Sequence, residues 1–399
     1  MKKMIDCICC GKKNSSKFLF SNFGKNNVRF NFYPRDVFLC KNCGIIFLKQ
    51  EKNLKKKIKK YYEKSNHFLK PGFISDEQKK RRVNQVNWIL SNIEVVDKIN
   101  SVADFGSGSG YFLKVFKDKG FKNLLGLDFS KKMNLIAKKK YKIKSLSGDF
   151  LRKKIKKKYD LITCIQTLEH LLNPIQFVIK AKKTLSENGY LFLEVPDSEF
   201  PKHNQLPEYF TFDHLFHFTE KSLSFILEKN GFEIITVSHL DNKPNSGNPF
   251  RVLRILAKKN KKVHKRYFFD PRYYKYIEKL LFSYRKKHYA NLKKIKGILS
   301  KILKKINNNR FAIYCAGEHT NLLLLRFSKF FRNLSCIYDG DKYVEGKKIL
   351  NVPILHHSKI KKNNKIKNFI ISSTNHEADI FKDLKKINSK FNVYKIYSK

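Results

Sequence analysis

Acidic residues are scarce in this 399-residue chain: 33 Asp and Glu stand against 85 Lys and Arg, a formal net charge of +52. An excess of that size would suit a binder of polyanions. Arginine is scarce as well, with 13 residues against 72 Lys. Specific readers of nucleic acid lean on the bidentate guanidinium, which this chain hardly offers. Its lysines spread over every segment, beside abundant Ile, Asn, Phe and Tyr, all residues of A/T-rich codons. The charge therefore reads as codon bias displayed on solvated faces. A weak, salt-sensitive attraction to polyanions follows, with no specific nucleic-acid partner. No run of 18 apolar residues occurs, so no transmembrane helix is expected. The opening Met-Lys-Lys-Met-Ile-Asp-Cys lacks the apolar stretch of a signal peptide. A soluble, cytoplasmic protein is the expectation. Apolar residues make up 42% of the chain, and its length suits two or three domains, each with its own core.

Disulfides are disfavoured in such a compartment, and the cysteine spacing offers another use. Four of the eight cysteines form Cys7-x-x-Cys10-Gly11 and Cys40-x-x-Cys43-Gly44. Two such knuckles present four thiolates to a tetrahedral zinc ion, and the glycine after each second Cys permits a tight turn. Four protein ligands leave no open position, so this zinc is structural. Cys9 is a spectator inside the first knuckle, while Cys164, Cys315 and Cys336 read as scattered core residues. Strands over 18–23 and 28–32 carry the module between the knuckles. A lysine-rich helix over 51–64 follows and ends at Tyr61 and Tyr62. A second helix over 76–93 presents Val83, Val86, Ile89, Leu90 and Ile93 on one side. Both helices lead into the next domain and cover its open face. Tyr61 or Tyr62 either enters an active site or packs as an ordinary amphipathic helix residue.

Residues 102–110 read Val-Ala-Asp-Phe-Gly-Ser-Gly-Ser-Gly. An apolar strand runs into a loop whose glycines let the backbone approach a ligand. Asp128, 22 residues beyond Gly106, ends a second strand where a carboxylate can hold two ribose hydroxyls. Asp104 with Gly106, Gly108 and Gly110 resembles the first motif of class I S-adenosylmethionine-dependent methyltransferases. Further segments of that superfamily follow in order. Ser-Gly-Asp-Phe at 147–150 stands where such enzymes place a carboxylate near the adenine amino group, which implies that role for Asp149. A fourth strand over 159–166 ends at Gln166, and Leu168-Glu169-His170 precedes Asn173-Pro174. Residues 185–197 supply a helix end, a glycine turn and a fifth strand. Taken singly, Asp149 reads equally as a turn former and Glu169 as a solvated helix residue. Their order and spacing together carry the resemblance, which implies an S-adenosylmethionine site built from Asp104, Gly106, Gly108, Gly110, Asp128, Asp149 and Gln166.

Beyond the fifth strand, the aromatic-rich segment 208–219 carries Asp213, His214 and His217. Thr219 is an N-cap, Glu220 lies in the first turn of the next helix, and Gly231 stops it. A histidine at the ligand-facing end of a sheet suits a general base near neutrality. His214, beside Asp213, takes that role or packs beneath the loop, where His217 packs. Metal binding by the two histidines lacks a third clear ligand. Residues 267–306 read as long helices with Ile277, Leu280, Leu281, Tyr284, His288, Leu292, Ile295, Leu299 and Ile302 at helical spacing. A second α/β pattern starts after 307–309, with strands near 311, 334–341 and 368–374. Only Gly317 survives there of a glycine loop, so no second cofactor site is expected. Glu318, His319 and Asn321 either touch substrate or serve structure.

The whole order resembles the sugar C-methyltransferases that act on nucleotide-linked deoxysugars. The fold class that follows is α/β: a Rossmann-like methyltransferase core, an N-terminal zinc-knuckle module and a smaller C-terminal Rossmann-like domain. The expected divisions are 1–60 for the zinc module, 61–95 for a helical lead-in and 96–258 for the methyltransferase core. A helical connector over 259–307 and the C-terminal domain over 308–399 complete them. In that family a carboxylate–histidine pair in a Tyr-x-Glu-His-x-x-Tyr-Phe-Ser-like segment lines the substrate pocket. The pair is kept as Asp213 and His214, whereas the two Tyr positions are Thr211 and His217. The resemblance implies that a base removes a proton beside a sugar keto group and the enolate carbon attacks the sulfonium methyl. His214, oriented by Asp213, is that base, with Tyr61 or Tyr62 as rival. A nucleotide-sugar or glycan substrate is the implied partner. O-methylation of a related sugar is the second reading and nucleic-acid methylation the third. A zinc-stabilised scaffold with a vestigial core comes last.

Overall fold

The computed structural model describes residues 4–21, 36–50, 53–54, 74–199, 209–210, 213–242, 250–260, 269–361, 363, 365–373 and 376–397. The chain divides into two units, of which the first holds Met1–Ser21, Arg35–Phe200 and Asp213–Leu280. Asn22–Pro34, Pro201–Phe212 and Leu281–Lys399 make up the second.

Four short strands open the first unit: β1 (Met4–Ile5), β2 (Ser16–Ser21), β3 (Asp36–Cys40) and β4 (Ile46–Leu48). They pair antiparallel in sequence order. The strand expected over 18–23 is β2, shifted two residues towards the N-terminus. The strand over 28–32 and the helix over 51–64, with Tyr61 and Tyr62, lie outside the described residues apart from 53–54.

Helix α1 (Asp76–Ser91) begins with a full capping box: Ser75 Oγ accepts from the Gln78 N–H, and the Gln78 side chain accepts from the Ser75 N–H. Its buried face is Gln85, Val86 and Ile89, and Val83, expected on that face, is 39% exposed. The reason is polar: the Gln85 amide donates to the buried carboxylate of Glu194, which turns the helix and leaves Val83 facing water.

The central sheet then builds up through β5 (Ser101–Phe105), α2 (Tyr111–Asp118), β6 (Asn123–Asp128), α3 (Lys131–Tyr141), β7 (Lys144–Ser147), β8 (Tyr159–Ile165), α4 (Pro174–Thr184) and β9 (Leu185–Pro196). Asn173 caps α4 with Pro174 in its first turn, as the Asn-Pro pair dictates. The glycine turn expected before the fifth strand is absorbed into β9. That strand starts beside Tyr159, shifts register, and resumes as Tyr190 against Leu161, with Asn188 at φ +60° in the irregularity. Next come β10 (Phe216–His217), α5 (Glu220–Lys229), β11 (Phe232–Asn242) and β12 (Phe250–Lys259). Thr219 caps α5, and Gly231 at φ +82° follows its end, as expected.

Seven strands form this sheet in the order β11-β12-β9-β8-β5-β6-β7. Strands β9 to β7 run parallel, and β12 is antiparallel to both neighbours. Strand order reverses between β5 and β8, so a crevice opens outside their carboxyl ends. Phe105 is fully buried there, edge-on to Phe150 at 5.5 Å and Phe177 at 5.4 Å.

Strand β10 leaves this sheet and extends the first one, pairing Phe216 with Phe47 and His217 with Ile46. An aromatic row crosses the junction: Phe38–Phe47 at 5.8 Å, Phe47–Phe216 at 6.2 Å and Phe216–Phe218 at 6.4 Å, all buried. Each such ring contributes roughly 2–3 kcal/mol of burial, which outweighs the weakness of a two-residue strand.

Helix α6 is a single element, Pro271–Ile306, whose residues 271–280 belong to the first unit. The stripe expected on it is buried, apart from a half-buried Leu280. The second unit adds β13 (Phe311–Tyr314), α7 (Glu318–Arg326), β14 (Leu334–Asp339), β15 (Lys348–Ile349), β16 (Val352–His356), β17 (Asn368–Ile371), α8 (Glu377–Ile387) and β18 (Asn392–Tyr394). Its sheet order is β15-β16-β14-β13-β17-β18, parallel except for β15. His319 is buried between Ser372 and Tyr397, and burial pushes its ring down to about 4. Asn321 is fully buried, and the side chain of Glu318 lies outside the description. Among the described residues no helix is long and apolar enough to cross a membrane.

Candidate active site at the carboxyl ends of the central strands

Strand β5 delivers the chain into the glycine loop, where Gly106, Gly108 and Gly110 have φ of +85°, +53° and +82°. The N–H groups of Gly106 and Ser107 both donate to the Leu127 carbonyl, folding the loop back on β6. A Cβ on Gly106 would lie 2.1 Å from Thr167 Oγ1, so glycine is required there by space as well as by φ. Asp128, at the end of β6, accepts the Gly108 N–H on one carboxylate oxygen and the Ser130 N–H on the other, each at 2.8 Å. Burial pushes its pKa up, against the pull of those two bonds. A carboxylate has about four acceptor positions, so two hydroxyls can still be held.

Asp104 is buried and accepts from Thr163 Oγ1 at 2.7 Å on the adjacent strand. Burial raises it to about 6, with Arg82 of α1 near enough to act against the rise. Asp149 does what a turn former does: it accepts the Leu151 N–H and lies 3.5 Å from Arg152. Gln166 has φ +49° and donates its backbone N–H to the Glu194 carbonyl. Its side-chain Nε2 is buried without a hydrogen-bond partner, as is Ser107 Oγ. A polar ligand in the crevice would satisfy such groups, so the residues present fit S-adenosylmethionine.

A hub behind this pocket escaped the sequence reading. Glu194 is 1% exposed and accepts from Gln85 Nε2 on both oxygens and from Arg254 Nε, all at 2.8 Å. Arg82 in turn donates to Gln85 Oε1 at 2.9 Å. Three elements distant in sequence, α1, β9 and β12, are thereby fastened together. The only local signal was a charge within the apolar run 190–196.

The Leu168-Glu169-His170 segment forms a short 3-10 turn just past β8. Glu169 is not solvated: it is 1% exposed, neither carboxylate oxygen has a hydrogen-bond partner, and burial pushes it up to about 7. His170 shares its Nδ1 with the Asp213 carbonyl at 2.9 Å, and Asp213 Oδ2 lies 3.8 Å from that nitrogen. The His170 and His214 rings meet edge to face, with centroids 4.7 Å apart. His217 is buried on β10, where burial and the neighbouring His214 push its pKa well below the usual range. It is a neutral, packed ring, as expected. Leu215 donates to the Glu169 carbonyl at 2.8 Å, which brings the two segments together.

The four knuckle cysteines converge. Cys7 and Cys43 sulfurs are 3.7 Å apart, as are those of Cys10 and Cys40, and all four form one cluster. Zinc bound to four sulfurs at ~2.3 Å would separate them by about 3.8 Å, so the donor set fits that ion. Gly11 and Gly44 turn with φ of +73° and +67°, each returning an N–H to the carbonyl of the first cysteine of its knuckle. Cys9 is buried and stands outside the cluster.

Residues 66–237 match the model of a methyltransferase-domain family. Two ubiquinone biosynthesis O-methyltransferases are similar to this chain. One, from Dechloromonas aromatica, is 27% identical over 116 residues, which is 27% of this chain and 49% of the relative. The other, from Leptothrix cholodnii, is 22% identical over 117 residues, again 27% of this chain and 49% of the relative. The chain thus spans about half the length of the curated relatives it matches. Among solved structures, magnesium protoporphyrin IX methyltransferase from Synechocystis with bound S-adenosylmethionine aligns at a TM-score of 0.39 and 16% identity, covering 53% of this chain and all of that one. An S-adenosylmethionine-dependent methyltransferase from Clostridium acetobutylicum aligns at 0.36 and 16% identity, over 52% and 100%. With this strand order, the glycine loop at the switch point and the family match over the same residues, the chain carries a class I S-adenosylmethionine-dependent methyltransferase domain.

Proposed function

We propose that the protein transfers the methyl group of S-adenosylmethionine to a carbon of a nucleotide-linked keto-deoxysugar. Asp104, the three loop glycines, Asp128, Asp149 and Gln166 hold the donor, with Asp128 taking the ribose hydroxyls. Cys7, Cys10, Cys40 and Cys43 hold a structural zinc. The observation that carries the reading is the collection of Glu169, His170 and His214 beside the end of β8. This cluster of proton-accepting groups near the glycine-loop crevice supports the reading. When bound, S-adenosylmethionine supplies an electrophilic methyl on a good leaving group. The chain's own task is then to orient the acceptor, exclude water and remove a proton. His214 is the candidate for that removal, and Tyr61 or Tyr62 remain its rivals. The sugar is proposed on the resemblance of the whole chain order, cysteine module and C-terminal α/β domain included.

Incubation with labelled methyl donor and a panel of nucleotide 4-keto sugars, with RNA as control, tests the assignment. Label in a sugar, on carbon by proton NMR, supports it. Label in RNA alone refutes it. Replacement of His214 by Gln is expected to abolish turnover while donor binding, measured by calorimetry, persists.

O-methylation is a second reading, favoured by the O-methyltransferase relatives. A hydroxyl acceptor needs no keto group, so the product's NMR spectrum separates the two.

A further inference from the structure

We propose that Glu169, His170 and His214 form a binding site for one divalent first-row transition-metal ion, separate from the four-cysteine cluster. One ligand atom from each lies within 4.8 Å of the others. Two of these residues are adjacent past β8, and the third arrives on the loop before β10, so only the folded chain assembles the set. Donors around an ion at ~2.1 Å can be no more than about 4.2 Å apart, so closure needs a movement of roughly half an ångström.

Glu169 itself points to a ligand. Its carboxylate is 1% exposed and both oxygens lack a hydrogen-bond partner. A buried carboxylate in that state is costly unless a cation or donors reach it. The contact within the ion-pair limit is His170 Nε2 at 3.8 Å from Glu169 Oε1. His170 supplies the second observation. The Asp213 carbonyl, 2.9 Å from Nδ1, can only accept, so in the neutral ring the lone pair falls on Nε2, the nitrogen 3.8 Å from Glu169. Metal-ligating histidines are held in this way, by a carbonyl on the far nitrogen that fixes tautomer and ring orientation.

Two imidazoles and one carboxylate suit zinc, iron, manganese or cobalt better than magnesium or calcium. Three protein ligands also leave coordination positions open, unlike the four-cysteine site. Resting on the methyl-transfer reading, the inference deepens it: an ion here would hold an oxygen of the acceptor and stabilise charge developing on it. His214 would then serve as a ligand in place of the base proposed above, because its lone pair would go to the ion. A water on the ion, deprotonated to hydroxide, would take the acceptor's proton and return to water.

The experiment uses the full chain with its zinc in place and titrates Mn2+, a poor partner for thiolates, by loss of the free aqua-ion EPR signal. One Mn2+ per chain is expected. Glu169→Gln and, on the half-exposed side of the site, His214→Ala should each weaken binding at least ten-fold. S-adenosylmethionine affinity, by calorimetry, should stay within two-fold, which shows that the variants fold and leaves the donor reading untouched. No uptake of Mn2+ or Co2+ by the wild-type chain would overturn the proposal. So would variants that bind as tightly as the wild type. Neither result depends on methyl transfer, so a wrong substrate and a missing metal site are told apart.

Discussion

Leu48, in the sheet that carries the cysteine cluster, donates its backbone N–H to the carbonyl of Leu215 at 2.9 Å. Leu215 follows His214 in sequence and donates its own N–H to the Glu169 carbonyl at 2.8 Å. Three backbone segments are thereby stitched in series: the cysteine module, the histidine-bearing loop and the turn past β8. The ladder between β4 and β10 and the ring row from Phe38 to Phe218 reinforce the same seam.

This seam predicts that the cysteine module acts on chemistry at a distance. Cys43→Ser removes a fully buried member of the four-cysteine cluster and, on the zinc proposal, the crosslink that would hold β3 and β4. Turnover is expected to fall at least ten-fold while donor affinity stays within two-fold, because the glycine loop belongs to another sheet. Metal analysis should show loss of zinc, and parallel calorimetry and labelled methyl transfer check the split.

Gly106→Ala should damage the donor pocket directly. The new methyl group would collide with Thr167 and adopt an unfavourable φ of +85°. We expect donor affinity to fall ten-fold or more, about 1.4 kcal/mol or greater. Binding within two-fold of wild type would contradict the role given to this loop.

Arg254→Met leaves Glu194 buried with Gln85 as its remaining side-chain partner among the bonds described. Breaking one side of a buried pair costs roughly 3–5 kcal/mol. The double variant Arg254→Met with Glu194→Leu should recover part of that loss, because the stranded charge is gone. Urea denaturation of the three proteins measures the difference.

His239 ties α5 to the carboxyl end of β9. Its Nδ1 is 2.7 Å from Asp197 and its Nε2 2.8 Å from Glu220, with Arg251 3.6 Å from Asp197. Burial works against the charged ring, but the bonds to Glu220 and Asp197 outweigh it and raise the pKa above 6.5. The stabilisation is therefore complete below the ordinary histidine value near 6.5 and is lost as pH rises through the raised one. Melting temperature should decline across that window in the wild type and lose this component in His239→Gln.

Much of this molecule is written locally. Alternation of apolar residues with glycines and caps specifies β5 to β9 and their helices. The Asn173-Pro174 and Thr219 caps start helices where they stand, and the paired Cys-x-x-Cys-Gly knuckles turn on glycines with positive φ. Period and spacing suffice for these features because each depends on neighbours within a few residues. The buried polar contacts around the crevice were not legible in this way. Glu169 reads as a solvated helix residue until the fold buries it, and nothing in the pattern marks Gln85 as the partner of Glu194. A two-residue strand at Phe216–His217 carries no pattern of its own; it exists because β4 offers an edge and a row of rings to cover it. Burial and partnership between segments remote in sequence are properties of the packed chain, so they were settled only when tertiary structure brought Glu169, His170 and His214 together.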